Sequence, residues 1–338
     1  MGNGLPIPIK WCTPLAEMEW VVHAPLLFDG VLMVRVRKDL FRVRATDGVL
    51  LGTTLIDPDE GRGIICLRHR DCAIVDVGHA GAGKSEIIAV DTGGKVRWRT
   101  PLNVQLLSGT GALDGDELLV CGHETGAGNW LFTLDARTGA MAARMKVPLG
   151  GTPATALRWH PGAMLVSSTV GVGLRTIVDG SVAEILDERR VQMLIGTGDR
   201  ALVAARPEDD FYEVAVYGRG NSEPRWRAPS PSYACAIDGE DVACVVGERD
   251  ATMAAIRSAT TGKIRWQSTE SFEYCPGGVT LAGPVVLFKG GGHLWLHRRS
   301  DGHLLGDSYA FGSAATAVGD TLFIGGIERI AAADLSAV

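Results

Sequence analysis

The chain has 338 residues, 46% of them hydrophobic and 21% charged, which excludes wholesale disorder and supplies a sizeable core. Its formal net charge of −6 argues against the basic face that nucleic acid requires, so no nucleic-acid partner is expected. With 44 glycines marking turns between short apolar runs, the composition is that of an all-β chain.

The first residues, MGNGLPIPIKW, lack the basic start and apolar run of a secretory signal, and Pro6 stands where a myristoylation signal needs Ser or Thr. No apolar stretch approaches the roughly eighteen residues that span a membrane as a helix. The expectation is a cytoplasmic protein without a membrane partner. Cysteines 12, 66, 72, 121, 235, 244 and 275 include no CxxC pair, which points to reduced thiols rather than a zinc or redox motif.

Residues 7–14 read as a strand with no partner before it. They carry the first copy of a tryptophan motif, Ile9-Lys10-Trp11-Cys12-Thr13-Pro14. The motif returns at residues 95–101, around Trp98, at 223–229, around Trp226, and at 263–268, around Trp266. Turns precede the internal copies, as in Asp91-Thr92-Gly93-Gly94 and Ala259-Thr260-Thr261-Gly262, and weaker turns fall at Ala45–Gly48, Ala136–Gly139, Ile177–Gly180 and Arg299–Gly302. The tryptophans stand two, three and one repeat apart for a unit of about 42 residues, which makes eight units in the chain. A second set of turn signals, from Asp29-Gly30 to Gly319-Asp320, also recurs eight times. Each unit reads as four short strands; in the third these are residues 106–113, 117–122, 130–135 and 141–147. At the end of the chain, residues 315–318, 321–325 and 329–335 form three strands that lack a fourth. The fold expected is therefore an all-β, eight-bladed β-propeller, a single domain over 1–338. Residues 1–14 supply the outer strand of the last blade and 309–338 its inner three, so that no sheet edge is left open at the join. The tryptophans are expected to hold blades together against the glycine turns.

The turn-plus-Trp unit, D-x-x-T-G-x-x-x-W, best seen from Asp91 to Trp98 and from Thr260 to Trp266, resembles the pyrroloquinoline-quinone-type β-propeller repeat. The resemblance covers the whole chain and implies the eight-bladed fold. It also implies two comparisons. The quinone-dependent alcohol dehydrogenases are exported enzymes with an adjacent cysteine pair and a calcium site; this chain has no adjacent cysteines, so no cofactor is expected. The outer-membrane-assembly scaffold is a lipoprotein without catalytic activity, and this chain shows no lipoprotein leader. The fold transfers, and neither function does.

Function is expected on the longer loops between second and third strands and between blades, not on the tight Asp/Gly turns. Residues 78–85 satisfy G-x-x-x-x-G-K-S, a phosphate-cradling loop, but residues 86–91 after it read as a strand where that chemistry needs a helix. His79 and His123 stand one repeat apart and, with Glu124, are the candidate acid/base residues. Lys84, Arg37, His23, Glu273, Tyr274 and His293 are the candidate binding residues, and Glu19, Trp20 and Tyr309 also fall near the loop ends. No metal site is expected: there is no HExxH, and Asp57-Pro58-Asp59-Glu60-Gly61 only half resembles a calcium loop. The leading reading is a scaffold that binds a protein or a small ligand through its loop face. The rival is a cofactor-independent lyase, isomerase or hydrolase that uses the loop histidines.

Overall fold

The structure is a computed structural model that describes residues 7–15, 23–56, 65–78, 85–106, 111–148, 153–168, 173–206, 211–248, 251–291, 293–308, 311–326 and 329–336. Its strands form eight four-stranded antiparallel sheets. Seven are consecutive in the chain: blade 1 spans 26–55, blade 2 66–101, blade 3 111–147, blade 4 153–187, blade 5 190–230, blade 6 235–271 and blade 7 278–308. Blade 8 combines Phe311–Val318, Thr321–Gly326 and Arg329–Asp334 with Ile9–Pro14, which pairs with Arg329–Asp334. The closing strand is thus where the sequence puts it, two residues shorter at its start. In blade 3 the described first strand is Gly111–Asp114, shorter than the sequence implies; residues 107–110 lie outside the described set.

Burial explains the sequence pattern within each blade. In blade 2 the second and third strands, Cys72–Gly78 and Ser85–Asp91, read as nearly continuous apolar runs, and Ile74, Val75, Ile87, Ile88 and Val90 are fully enclosed. The fourth strand, Val96–Pro101, alternates instead, with Arg97 and Arg99 exposed and Trp98 half-buried, the two-residue period of a strand with one covered face.

The chain divides into two compact units, one of residues 26–43 and 50–194, the other of residues 1–25, 44–49 and 195–338. In the first, each core lies between consecutive blades. Phe28, Met33 and Leu40 of blade 1 meet Val75 and Ile88 of blade 2. Ile74 and Ile87 of blade 2 meet Leu118 and Phe132 of blade 3, and Leu119 and Leu131 of blade 3 meet Val166 and Ile177 of blade 4. The second unit follows the same rule: Val245 and Ile256 of blade 6 pack with Phe288 and Trp295 of blade 7, and Leu287 and Leu296 of blade 7 with Ile324 and Ala331 of blade 8.

The tryptophans pack as the repeat predicts. Trp98 Nε1 donates to the Ala136 carbonyl of the next blade at 3.2 Å, and its ring lies so close to Gly139 that a Cβ there would sit 2.5 Å from Cε3. Gly139 also has φ +72°, so only glycine meets both demands. Trp11, Trp226 and Trp266 repeat the bond to Ala45, Ala259 and Arg299. Blade 1 departs from the rule: Gly52 occupies the tryptophan position, and the Arg42 guanidinium fills the space beside Gly94.

Under Trp266 lies a titratable group that the sequence reading passed over. His297 is buried, stacks on Trp266 at 6.3 Å, and donates Nδ1–H to the Gly302 carbonyl at 3.0 Å, while its Nε2 is enclosed without a hydrogen-bond partner. Burial lowers its pKa below the ordinary value of 6.5. The unfolded chain therefore takes up this proton first, so stability is complete above about pH 6.5 and falls as the pH drops towards the folded-state pKa. In His297→Asn that component of the pH dependence is expected to disappear from urea titrations between pH 7 and 5, while the midpoint at pH 7 drops. An unchanged pH slope would contradict it.

Candidate functional site

On the loop side of blades 5 to 7, within the second unit, the structure assembles an aromatic strip. Phe211 directly precedes the third strand of blade 5, which Tyr212 opens, and Tyr212 meets Tyr233 of the blade 5–6 connection at 5.5 Å, edge to face. Arg206 lies over the Tyr212 ring at 5.9 Å. The blade 5–6 connection is tied to the blade 6–7 connection: Ser232 Oγ donates to the Pro276 carbonyl at 2.5 Å, and Cys275 Sγ to the Pro231 carbonyl at 3.7 Å. From there Tyr274 reaches His293 at 5.7 Å, His293 stacks on Trp295 at 5.3 Å with the rings only 11° apart, and Trp295 rests on Phe272 at 4.8 Å. Phe211 is 43% and Tyr274 46% exposed, whereas His293 and Trp295 beneath are buried.

Local sequence explains how these rings are held. Gly290 and Gly291 precede His293; a Cβ on Gly291 would strike the Tyr274 ring at 2.8 Å, and its φ is +57°. A side chain there would displace Tyr274. Phe272 is anchored by its N–H to the Thr252 carbonyl at 2.7 Å, so the buried half of the strip is rigid while the exposed half faces outward.

Three of the residues singled out from the sequence therefore come together: Glu273, Tyr274 and His293, with the Glu273 carboxylate 3.8 Å from His293 Nε2. Nearby Lys289 has its pKa lowered by burial, and its backbone carbonyl accepts the Gly277 N–H at 2.8 Å. The reading missed Phe211, Tyr212, Tyr233 and Trp295. A signal was present: the chain has only five tyrosines, and three of them, 212, 233 and 274, fall at these loop ends.

The remaining candidates are dispersed. His79 and Lys84 lie outside the described residues, as do Glu19, Trp20, Tyr309 and residues 57–64 with the half calcium loop. His23, in the second unit, is half-buried. Arg37, in the first unit, is exposed on the turn between the second and third strands of blade 1, at φ +44°. His123 is the penultimate residue of the second strand of blade 3, Glu117–Glu124; its Nδ1 meets Asn129 Oδ1 at 2.8 Å and its backbone bridges to Gln105. Glu124 beside it turns to Arg144 at 2.9 Å, and the Arg144 guanidinium lies 4.0 Å over the Trp130 ring. The phosphate-loop match ends in a strand: Ser85 begins Ser85–Asp91, pairs with Gly78, and donates Oγ to the Val104 carbonyl at 2.6 Å, so its hydroxyl is engaged in the sheet.

Between the second strands of blades 1 and 2, Val31–Val36 and Cys72–Gly78, the structure buries an ion pair. Arg35 Nη1 donates to Asp76 Oδ1 at 2.7 Å and to the Ile65 carbonyl at 2.8 Å, and Nη2 to the Asp76 carbonyl at 2.8 Å. Asp76 Oδ1 also accepts the Ile65 N–H at 2.8 Å. Arg35 is 2% and Asp76 5% exposed, so every bond here acts in a low dielectric. Burial pushes the neighbouring Cys66 thiol up to about 12, keeping it protonated at neutral pH.

The tight-turn side carries more organised charge than the sequence implies. In the first unit Arg70 pairs with Asp116 of the next blade at 2.8 Å, and Arg158 with Glu117. In the second unit Arg200 pairs with Glu240, and Arg299 reaches back to Asp238 at 2.8 Å and Asp241 at 2.7 Å. A cavity of about 270 Å³ lies there, lined by Trp266, Arg265, Arg298 and Arg299. Its arginines are engaged with Asp241, Asp238 and Asp301, so the arrangement ties blade 7 to blade 6.

Among the described residues no three His, Cys, Asp or Glu side chains converge as a metal-binding group, and all seven cysteines are free thiols.

No family model and no curated protein matches the chain. Among solved structures it is similar to the computationally designed Ika8 protein, at TM-score 0.70 and 12% identity over 95% of this chain and 98% of that one. It is similar to BamB from Moraxella catarrhalis, at TM-score 0.64 and 13% identity over 96% and 98%. It is also similar to the quinohemoprotein alcohol dehydrogenase from Comamonas testosteroni, at TM-score 0.62 and 13% identity over 98% of this chain and 77% of that one. At such identities the likeness is one of fold, and it agrees with eight four-stranded sheets, the last closed by the N-terminal strand. The chain has the fold of the pyrroloquinoline-quinone-type eight-bladed β-propellers.

Proposed function

We propose that the protein is a binding scaffold whose loop side, at blades 5 to 7, receives a protein partner. The supporting observation is the aromatic strip itself: exposed Phe211 and Tyr274, the Tyr212–Tyr233 pair, and the buried His293, Trp295 and Phe272 beneath Tyr274. Large, rigid amphipathic rings on an immobile base bury much area at little entropic cost, which is why tyrosine and tryptophan dominate the energetic centres of protein interfaces. Arg206 and Glu273 add polar groups of both signs to the strip. The fold supports this reading only as analogy, since propellers commonly serve as scaffolds.

A photo-crosslinking amino acid placed at Phe211 or Tyr274 in the source cells is expected to capture one discrete partner. The same probe at Asp114, on a tight turn, is expected to capture none. Tyr274→Ala, in a chain probed at Phe211, should then lower the yield by at least about tenfold, the loss of an anchoring ring. Equal capture at Asp114, or a yield indifferent to Tyr274, would remove the proposal.

A further inference from the structure

The fourth strand of a blade ends its sheet, and its unpaired N–H and C=O groups invite another chain unless charge or proline guards them. Seven of the eight fourth strands are guarded. Ile9–Pro14 has Lys10 and Pro14; Val96–Pro101 has Arg97, Arg99 and Pro101; Met141–Val147 has Arg144 and Lys146. Ser181–Asp187 has Glu184 and Asp187, Pro224–Ser230 has Arg225, Arg227 and Pro229, Ile264–Ser271 has Arg265 and Glu270, and Leu304–Ser308 has Asp307. The fourth strand of blade 1, Leu50–Leu55, reads LLGTTL and carries neither charge nor proline. Its leucines are uncovered: Leu50 is 46%, Leu51 38% and Leu55 56% exposed. Aligned on the turn glycines 48 and 94, Leu51, Thr53 and Leu55 occupy the positions that hold Arg97, Arg99 and Pro101 in blade 2.

We infer that this edge pairs with the same edge of a second copy of the chain, joining two blades into one eight-stranded antiparallel sheet. The backbone is set for it. The Ile56 N–H bonds inward to the Lys38 carbonyl at 2.8 Å, and Leu55 lies opposite Asp39 and Thr53 opposite Phe41. The alternation of an antiparallel ladder then turns the N–H and C=O of Thr53 and Leu55 outward. A two-fold axis places Thr53 of one copy against Leu55 of the other, and each pair exchanges two hydrogen bonds. Charge selects the partner. Self-pairing of Val96–Pro101 or Pro224–Ser230 would bring arginines of the two copies together, whereas Leu50–Leu55 meets its copy with no like charges opposed. A two-fold contact also closes on itself, so it makes a dimer and not a fibre.

Sedimentation velocity of the full chain over a concentration series is expected to show a monomer–dimer equilibrium. Leu55→Lys, and separately Leu51→Lys, replace exposed side chains with the guard the other blades use; each should raise the dimer dissociation constant at least about tenfold without shifting the thermal midpoint. Hydrogen exchange gives a readout at the site: the Thr53 and Leu55 amides should be protected at high protein concentration and exchange freely at low. A chain that stays monomeric throughout, a dimer indifferent to both lysines, or Thr53 and Leu55 amides that exchange at one rate at every concentration would each overturn the inference. The test does not depend on the loop-side partner.

Discussion

Arg35→Ala is expected to cost about 3–5 kcal/mol of stability, among the largest effects of any single substitution in the protein. The reason is the carboxylate left behind. Asp76 is 5% exposed and receives Arg35 at 2.7 Å; without the guanidinium it is a buried carboxylate that has lost this countercharge, while the Ile65 N–H at 2.8 Å remains. The Ile65 and Asp76 carbonyls lose donors at the same time, which loosens the entry to blade 2. Urea denaturation should show the drop. Arg35→Met combined with Asp76→Leu should recover most of it, because replacing both charges by apolar groups removes the desolvation penalty along with the bond. If the double variant is as unstable as Arg35→Ala, the uncompensated charge is not the cause.

Removing residues 1–14 should have a larger effect still. Loss of the half-buried Trp11 contact alone costs on the order of 1–3 kcal/mol. The strand also gives up the Trp11 Nε1 bond to Ala45 at 3.0 Å, the Thr13 Oγ1 bond to Gly48 at 2.5 Å and the Lys10–Asp334 pair at 3.5 Å. What it uncovers matters as much. Ile330, Ala331, Ala332 and Ala333 are wholly buried, and without the closing strand they become an apolar edge with charge only at its ends, Arg329 and Asp334. The truncated chain should melt early and aggregate, as seen by light scattering during a thermal ramp. A synthetic peptide of residues 1–14 added in trans should suppress the aggregation. A truncated chain that melts cooperatively at the full-length temperature would refute the role of this strand.

The strands and their grouping into blades were legible because they rest on local, repeated signals. A glycine turn followed within four to six residues by a tryptophan states where the third strand of a blade ends and the fourth begins, and three of the four tryptophan contacts, to Ala45, Ala136 and Ala259, are copies of one another. Where the repeat breaks, local reading loses its guide. Gly52 in the tryptophan position and Arg299 in an alanine position are visible as letters, but the Arg42 side chain filling one gap and the Asp238 and Asp241 carboxylates met by the other come from distant parts of the chain. The same holds for Arg35 and Asp76, which the sequence shows as two loop-end charges 41 positions apart and the fold turns into one buried pair.

The candidate site divides along that line. Glu273, Tyr274 and His293 were readable one by one as polar or aromatic residues at loop ends, because strand alternation and turn chemistry place loop ends reliably. Their convergence with Phe211, Tyr212 and Tyr233 was not, since it depends on the blade 5–6 and blade 6–7 connections crossing at Ser232 and Pro276. The sequence by itself determined the strand count, the closing strand and the tryptophan locks, all of which follow from backbone periodicity and the demands of single residues. Only the tertiary structure decided which side chains share a surface and which charges are buried, because both depend on distances between segments that no spacing along the chain encodes.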